Sequence, residues 1–235
     1  IWISTPGHAD IPANSAHASL QDLISKWNQI IRHECTHTDP DICITLEPVD
    51  LPAATMADTS THTVIDVLMA YPNGVRKMSK DIAGLVQTSL NLGILSTIKP
   101  DDQSTNGMVS FKSSVRSSIG SEKDALLNSL KSLATLAGGT LTVTGDYPAW
   151  EYREDSPLRD LMVKIFKQQY GKEPVIQALH AGVECGIFAS KLPGLDCVSF
   201  GPDMDDIHTT NESMNVESVR RTWEYTLEIL KELKR

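Results

Sequence analysis

The sequence predicts an α/β chain built in two parts. A ferredoxin-like α+β unit is expected over about residues 42–145, followed by half of an α/β sandwich over 146–235. Three observations predict this. Apolar residues alternate with polar ones in some stretches and recur at helical spacing in others. From Ile42 to Thr144 these stretches run strand, helix, strand, strand, helix, strand, and from Ser156 onward helix, strand, helix, strand, helix. With 235 residues, 40% hydrophobic and 22% charged, the composition is that of a globular chain able to bury a core.

Each element has a local reason. Residues 1–19 read as an extended segment or edge strand around Pro6, Gly7 and Pro12. Leu20, Leu23, Ile24, Trp27, Ile30 and Ile31 make an amphipathic helix over about residues 19–34. Ile42, Ile44 and Leu46 alternate with Cys43, Thr45 and Glu47 as a half-buried strand ended by Pro48. Val64, Ile65, Val67, Leu68 and Tyr71 give a second helix, closed by the turn Pro72-Asn73-Gly74. Leu90, Leu92, Ile94 and Ile98 are expected on one face of a strand, with Ser89, Asn91 and Thr97 on the other. Val109, Phe111 and Val115 mark the returning hairpin strand after a polar turn over 100–107, which places Arg116 on the polar face with Asn91. Ser121 is a candidate cap for a helix with Leu126, Leu130, Leu133 and Ala137 as its stripe, stopped by Gly138-Gly139. Leu141 and Val143 alternate with threonines in a short strand.

Residues 145–155 read as a connection. Ser156 caps the next helix with Pro157 at its first position. Leu158, Leu161, Met162, Ile165 and Phe166 are its stripe, and Gly171 ends it. Val175–Leu179 and Asp196–Phe200 read as apolar strands, separated by a Gly-interrupted turn and a short helix. Asn215 caps the last helix, whose stripe is Val216, Val219, Trp223, Leu227 and Leu230. Two strands make a poor sheet, so this second part is expected to need partners.

Charge and composition narrow the function. There are 21 basic residues against 30 acidic ones, a net charge of −9, which argues against nucleic acid as a partner. No apolar run approaches the roughly 18 residues of a membrane span. Neither C-x-x-C nor zinc-finger spacing occurs among Cys35, Cys43, Cys185 and Cys197. They read as reduced thiols of a cytoplasmic protein rather than disulfides. The chain opens on Ile1-Trp2-Ile3 without Met, and the expectation is that it begins inside something larger.

Four places could carry chemistry. His208 sits beyond the Asp196–Phe200 strand among Asp203, Asp205, Asp206 and Glu212. The carboxyl end of a strand is a usual place for a site, and imidazole is a common metal ligand. Without context a solvated surface histidine is the more frequent outcome, and a zinc site needs three or four protein ligands. The run from His180 through Gly182 and Glu184 to Gly186 either lets backbone amides approach an anion or is a tight structural turn. In the same run Cys185 is more readily an inert buried thiol than a nucleophile. His8-Ala9-Asp10 has the H-x-D spacing of some dinuclear zinc sites, but the ligands that should follow it are missing at plausible positions. Arg116 suits a carboxylate by its bidentate fork, yet a strand arginine is ordinarily just solvated.

Several spaced motifs together are more specific than any of these. His180-Ala-Gly-Val-Glu-Cys-Gly-Ile-Phe188, Asp196-Cys-Val-Ser-Phe-Gly-Pro202, His208-Thr-Thr-Asn-Glu212 and Val216-Glu-Ser218 closely resemble the aminoacyl-histidine dipeptidases. These Xaa-His dipeptidases belong to the zinc metallopeptidases that include carnosinases. Pro72-Asn-Gly-Val75, Thr88-Ser-Leu-Asn-Leu-Gly93, Val115-Arg-Ser-Ser118 and Tyr147-Pro-Ala-Trp150 carry the likeness further, as does Thr38-Asp-Pro-Asp41 with the strand after it. The likeness runs from about residue 38 to the end; earlier, His8 to Pro12 is similar to a family His-Asn-Ala-Ile-Pro stretch.

The resemblance implies a lid and dimerisation domain over residues 1–145 and the C-terminal part of a zinc-peptidase catalytic domain over 146–235. It implies hydrolysis of small dipeptides at two zinc ions that activate a bridging water. His208 matches the last zinc ligand, and the other metal ligands lie in a part of the family's sequence that has no counterpart here. Arg116 and Asn91 are implied to meet the substrate, with Gly182, Glu184 and Gly186 lining its site. Many relatives have His-Ser-Pro-Asp-Glu where this chain has His208-Thr-Thr-Asn-Glu212. The implied partners are a small dipeptide and a second copy bound through the lid. The chain by itself is then expected to be inactive. The competing expectations are a non-catalytic dimerisation module or a carboxylate-binding module.

Overall fold

The computed structural model of the chain describes residues 13–47, 49–50, 55–98, 107–177 and 184–234. The chain divides into two compact units, residues 1–61 and 62–235.

In the first unit, α1 runs over Ala13–Glu34. It begins earlier than the apolar spacing indicates, because the Ala/Ser-rich stretch before it is also helical. The expected strand at Ile42–Leu46 is not a strand. Its backbone pairs instead with a side chain of α1: Asn28 donates through Nδ2 to the Ile44 carbonyl at 2.8 Å and accepts from the Ile44 amide at 2.7 Å. One carboxamide thus takes the place of a neighbouring strand at that residue. None of the described side chains of this unit is buried.

The helix α2 covers Asp58–Ala70, longer at its start than predicted. The second unit holds an antiparallel sheet of β1 (Gly74–Met78), β2 (Val86–Ile98) and β3 (Met108–Ser117), in that order. β1 was not foreseen, since Gly74 to Met78 shows no clean alternation and read only as the end of a turn. Leu90 is 1% exposed and packs with Leu126 and Leu130 of α3 (Gly120–Leu136), flanked by Tyr71 and Val115. Ser121 does not cap α3. The cap position is Ile119 with no side-chain bond, and the Gly120 amide instead donates to the Glu151 carboxylate at 3.3 Å. A distant carboxylate therefore satisfies the start of this helix.

One face assignment is overturned within β2. Leu90 opposes Val115 and Leu92 opposes Ser113, but the register slips and Ile94 opposes Lys112. Gly93 is the extra residue of a β-bulge. A one-residue slip moves every later side chain to the other face. Ile94 and Ile98 therefore share the open face with Asn91, Ser114 and Arg116, and Leu95 and Thr97 join the helix-covered face.

After α3, Gly138 turns at φ 73° and the chain runs without regular structure to residue 156. The expected strand at Leu141–Val143 has no strand partner among the described residues. α4 (Pro157–Tyr170) follows prediction closely: Ser156 accepts from the Arg159 amide, Pro157 opens the helix, and Gly171 ends it at φ 65°. α5 is Glu184–Lys191. Residues 175–177 and 196–200, both expected as strands, are not in a ladder with any described residue, and 178–179 lie outside the described residues. Instead β4 (Met204–Asp205) and β5 (Ser213–Met214) form a small hairpin before α6 (Val216–Leu233).

α6 also corrects the prediction. Its buried residues are Ser218, Tyr225 and Ile229, of which Tyr225 and Ile229 pack with Met162 and Ile165 of α4. The stripe read from the sequence faces solvent instead: Val216 is 82% exposed, Trp223 63% and Leu230 58%. The helix thus has two apolar faces, and this chain's described residues bury only the smaller.

Candidate functional site

The sheet brings two predicted residues together. Ser89 opposes Arg116 and Asn91 opposes Ser114 across the β2–β3 ladder. Opposed residues in an antiparallel pair point to the same face. These four line a shallow cavity of about 220 Å³. It holds a guanidinium, a carboxamide and two hydroxyls, and no acidic side chain lines it. A guanidinium donates in a planar fork matched to a carboxylate, and Asn and Ser add neutral donors. Glu184, Gly186 and His208 do not line this cavity.

The opposite face is anchored by a polar network. Thr88 and Ser117 share a hydrogen bond at 2.8 Å, and Thr88 donates to Glu122 at 3.1 Å. Lys77 pairs with the same carboxylate. Lys77 holds the Glu122 carboxyl below its ordinary range against the opposing effect of burial, with Thr88 adding to it. The Asn73 side chain accepts from the Leu92 amide at 2.8 Å, tying the turn before β1 to the strand that carries Asn91.

His208 sits at the tip of the β4–β5 hairpin. Its φ is 68° and that of Asp206 is 52°, the two non-glycine positive values among the described residues. The histidine amide donates to Glu212 Oε2 at 3.0 Å, and Thr209 caps the turn on the Asp206 carbonyl at 2.8 Å. The hairpin base is pinned to α6. Asn215 donates its amide to the Asp203 carbonyl, and the Asp203 amide donates to Ser218 Oγ at 2.9 Å. Arg221 pairs with the Asp203 carboxylate at 3.0 Å. A left-handed histidine held on such a rigid base is a common trait of functional positions. It presents one imidazole. Among the described residues no group of three or more His, Cys, Asp or Glu side chains could hold a metal ion. Zinc needs three or four protein ligands, so these residues do not form a zinc site by themselves.

Gly182 and His180 lie outside the described residues, as do His8 and Asp10. Glu184 opens α5 and is exposed. Gly186 is buried, and a Cβ there would lie 2.8 Å from the Pro148 carbonyl oxygen and 3.4 Å from Trp150 Cβ. Its smallness lets α5 close on the 148–150 connection. Gly186→Ala is expected to cost about 1–3 kcal/mol, because backbone must shift to admit the methyl. Denaturant unfolding checks this, and an unchanged midpoint would remove the packing role. Cys185 is no activated nucleophile: burial pushes its thiol up, and the neighbouring Cys197 thiol and Glu184 push it further.

Sequence reasoning missed Asp196. It accepts from Ser156 Oγ at 2.7 Å and from the Leu158 amide at 2.9 Å, so it caps α4 from across the fold. Beside it a larger cavity of about 1110 Å³ opens between α4, the 148–153 connection and the 195–200 segment, with Val175, Ile176 and Phe200 in its lining. Among the described residues, none of the sequence-predicted site residues lines it.

The model of peptidase family M20/M25/M40 matches residues 20–232, and the chain belongs to that family. It is 34% identical over 214 residues to the cytosol non-specific dipeptidase of Escherichia coli (strain K12), covering 91% of this chain and 43% of that protein. Among solved structures it is similar to an aminoacylhistidine dipeptidase from Vibrio alginolyticus, with a TM-score of 0.81 and 31% identity over 94% of this chain and 44% of that one. The aminopeptidase PepT from Bacillus cereus shares the fold at a TM-score of 0.57 and 20% identity, over 74% of this chain and 45% of its own. The chain therefore spans less than half the length of these relatives. Among the described residues no helix is long and apolar enough to cross a membrane.

Proposed function

We propose that this chain supplies the substrate-recognition sheet and one metal-binding hairpin of a zinc-dependent dipeptidase that cleaves Xaa-His-type dipeptides in the cytoplasm. The observation that carries the reading is the convergence of Arg116 and Asn91, with Ser89 and Ser114, in one cavity on the open sheet face. Arg116 takes the C-terminal carboxylate of a dipeptide, and Asn91 orients it through neutral hydrogen bonds. His208 serves as one zinc ligand and Glu212 fixes its backbone. Glu184 and Gly186 of α5, with Gly182 just before them in the sequence, take the part of substrate-lining residues. Residues 1–145 act as a lid through which two copies pair, and 146–235 complete a catalytic domain whose other metal ligands lie elsewhere in a longer protein.

Three features favour a longer protein. The relatives are more than twice as long. The apolar segments 175–177 and 196–200 lack ladder partners among the described residues. The apolar stripe of α6 is uncovered. On this reading the chain by itself hydrolyses nothing, because a single imidazole cannot retain catalytic zinc.

The test is an assay of the 235-residue chain with zinc and carnosine-like dipeptides. Turnover abolished by His208→Ala would overturn the inactivity. Gel filtration with and without zinc tests the pairing of two copies. In the longer protein, His208→Ala is expected to remove zinc-dependent turnover by at least about a thousandfold. Arg116→Ala there is expected to raise KM by roughly ten- to a hundredfold, the worth of a charge-assisted bond to the substrate carboxylate.

A further inference from the structure

The bulge at Gly93 does more than reverse a strand face. On the open face the row after Asn91 and Ser114 is Ile94 opposite Lys112, with Gly93 as the unpaired residue between the two rows. A Cβ on Gly93 would lie 3.8 Å from Asn91 Nδ2 and 4.0 Å from the Lys112 carbonyl oxygen, ordinary contact distances. Gly93 therefore floors a gap directly beside the Asn91 amide. The gap is bounded on its far side by Ile94, which is 55% exposed. Bulges gather beside functional sites because they re-aim side chains. Without this one, Ile94 would point toward the helices.

We propose that Gly93, Ile94 and the aliphatic stem of Lys112 form a subsite whose apolar walls take the body of the C-terminal side chain, an imidazole or an aliphatic group, of a dipeptide whose carboxylate meets Arg116. The inference rests on the carboxylate role given to Arg116 and Asn91 above. Its geometry follows from the substrate. A C-terminal residue carries its carboxylate and its side chain on the same carbon. A site that holds the first must accommodate the second within about one same-face step along the strand, roughly 7 Å. Counted from the Asn91–Ser114 row, where Asn91 orients the carboxylate that Arg116 takes from the row behind, that step leads on the Gly93 side to Ile94 and Lys112. A lysine stem covers apolar surface while its ammonium stays in water, so the wall is apolar despite the charge. The next row on this face is Ser96 opposite Ser110, which closes the apolar wall on that side before the exposed pair Ile98 and Met108. The rival position is Val75, which opposes Ser89 on the other side of Arg116 and is also exposed. The glycine beside it, Gly74, opposes Leu90 and so belongs to the helix-covered face.

The experiment is an NMR titration of the isotope-labelled 235-residue chain with Gly-Leu and Gly-Gly, following the amides of β2 and β3. Gly-Leu is expected to bind roughly five- to tenfold more tightly than Gly-Gly, for partial burial of one isobutyl group. Ile94→Ser and Gly93→Val, the second by filling the gap, are each expected to bring that ratio below about two. Ile94 is exposed and Gly93 does not have a positive φ, so neither change strains the fold. Val75→Ser is expected to leave the ratio alone. Arg116→Ala is expected to weaken both peptides by the same factor. The subsite is overturned if the ratio survives both Ile94→Ser and Gly93→Val, if Val75→Ser abolishes it instead, or if neither peptide shifts any β2 or β3 amide. Should Arg116→Ala leave both affinities unchanged while Ile94→Ser still collapses the ratio, the carboxylate reading falls and the subsite stands.

Discussion

Tyr225→Ala is expected to destabilise the second unit by about 3–5 kcal/mol, the usual cost of deleting a buried aromatic ring. Tyr225 lies at the centre of the α4–α6 core with Met162, Ile165 and Ile229. Its ring meets Phe166 edge-on at 5.6 Å and Phe200 at 5.4 Å, and Tyr170 lies at 6.4 Å. Its hydroxyl donates to the Met162 carbonyl at 2.6 Å, a bond across to α4. Burial raises its phenol above the ordinary range, and Tyr170 adds to this, so the donor stays protonated at neutral pH. Tyr225→Phe keeps the ring contacts and loses only the hydroxyl bond, for about 1 kcal/mol. Urea unfolding of the two variants separates the contributions. Equal losses would show that the hydroxyl, not the ring packing, holds α6 in place.

Asp196→Ala is expected to cost about 2–3 kcal/mol at pH 7, since two hydrogen bonds to an ionised acceptor are lost together. Burial opposes ionisation of this carboxyl. The Ser156 hydroxyl, the Leu158 amide, Arg153 and Arg159 outweigh it and hold the group below its ordinary value of 3.8. The pH dependence follows from that direction. A carboxyl depressed in the folded state contributes fully above its unfolded value. The contribution is lost as pH falls through the lower, folded value. The gap between the natural chain and Asp196→Asn should therefore be constant above about pH 5 and close in the acid range below the unfolded value. Unfolding curves at stepped pH check this, and a gap that stayed constant down to strongly acidic pH would show that Asp196 is not ionised in its cap. The arginines are themselves oriented: Arg153 donates to the Gly194 carbonyl at 2.9 Å and Arg159 to the Arg153 carbonyl at 2.7 Å. Loss of Asp196 is thus expected to loosen the 195–200 segment that leads into the His208 hairpin.

Much of the fold was legible because its signals are local. Ser156, Pro157 and Gly171 bound α4 as read, and Asn215 caps α6 through the Ser218 amide. A cap is a bond within one turn of chain, so neighbouring residues decide it. Arg116 and Asn91 share a face because the alternation holds on both strands as far as Leu92. Strands were the weak point. Ile42–Leu46, Leu141–Val143, 175–177 and 196–200 all have the residue types of strands, yet none forms a ladder among the described residues. A strand is completed by a partner that local sequence does not name. At Ile44 that partner is a side chain of α1. Asp196 escaped notice for a related reason, because its partners Ser156 and Leu158 lie about forty residues earlier.

The sequence by itself determined the helices, the residue types of the cavity, and the family motifs that surround His208. Tertiary structure decided the faces. Gly93 slips the β2 register and sends Ile94 and Ile98 to the open side, and α6 turns Tyr225 and Ile229 inward in place of Trp223 and Leu230. The physical reason is common to both. Propensity and capping act over one turn of chain, whereas a face is chosen by whatever packs against it, and that neighbour is distant in sequence.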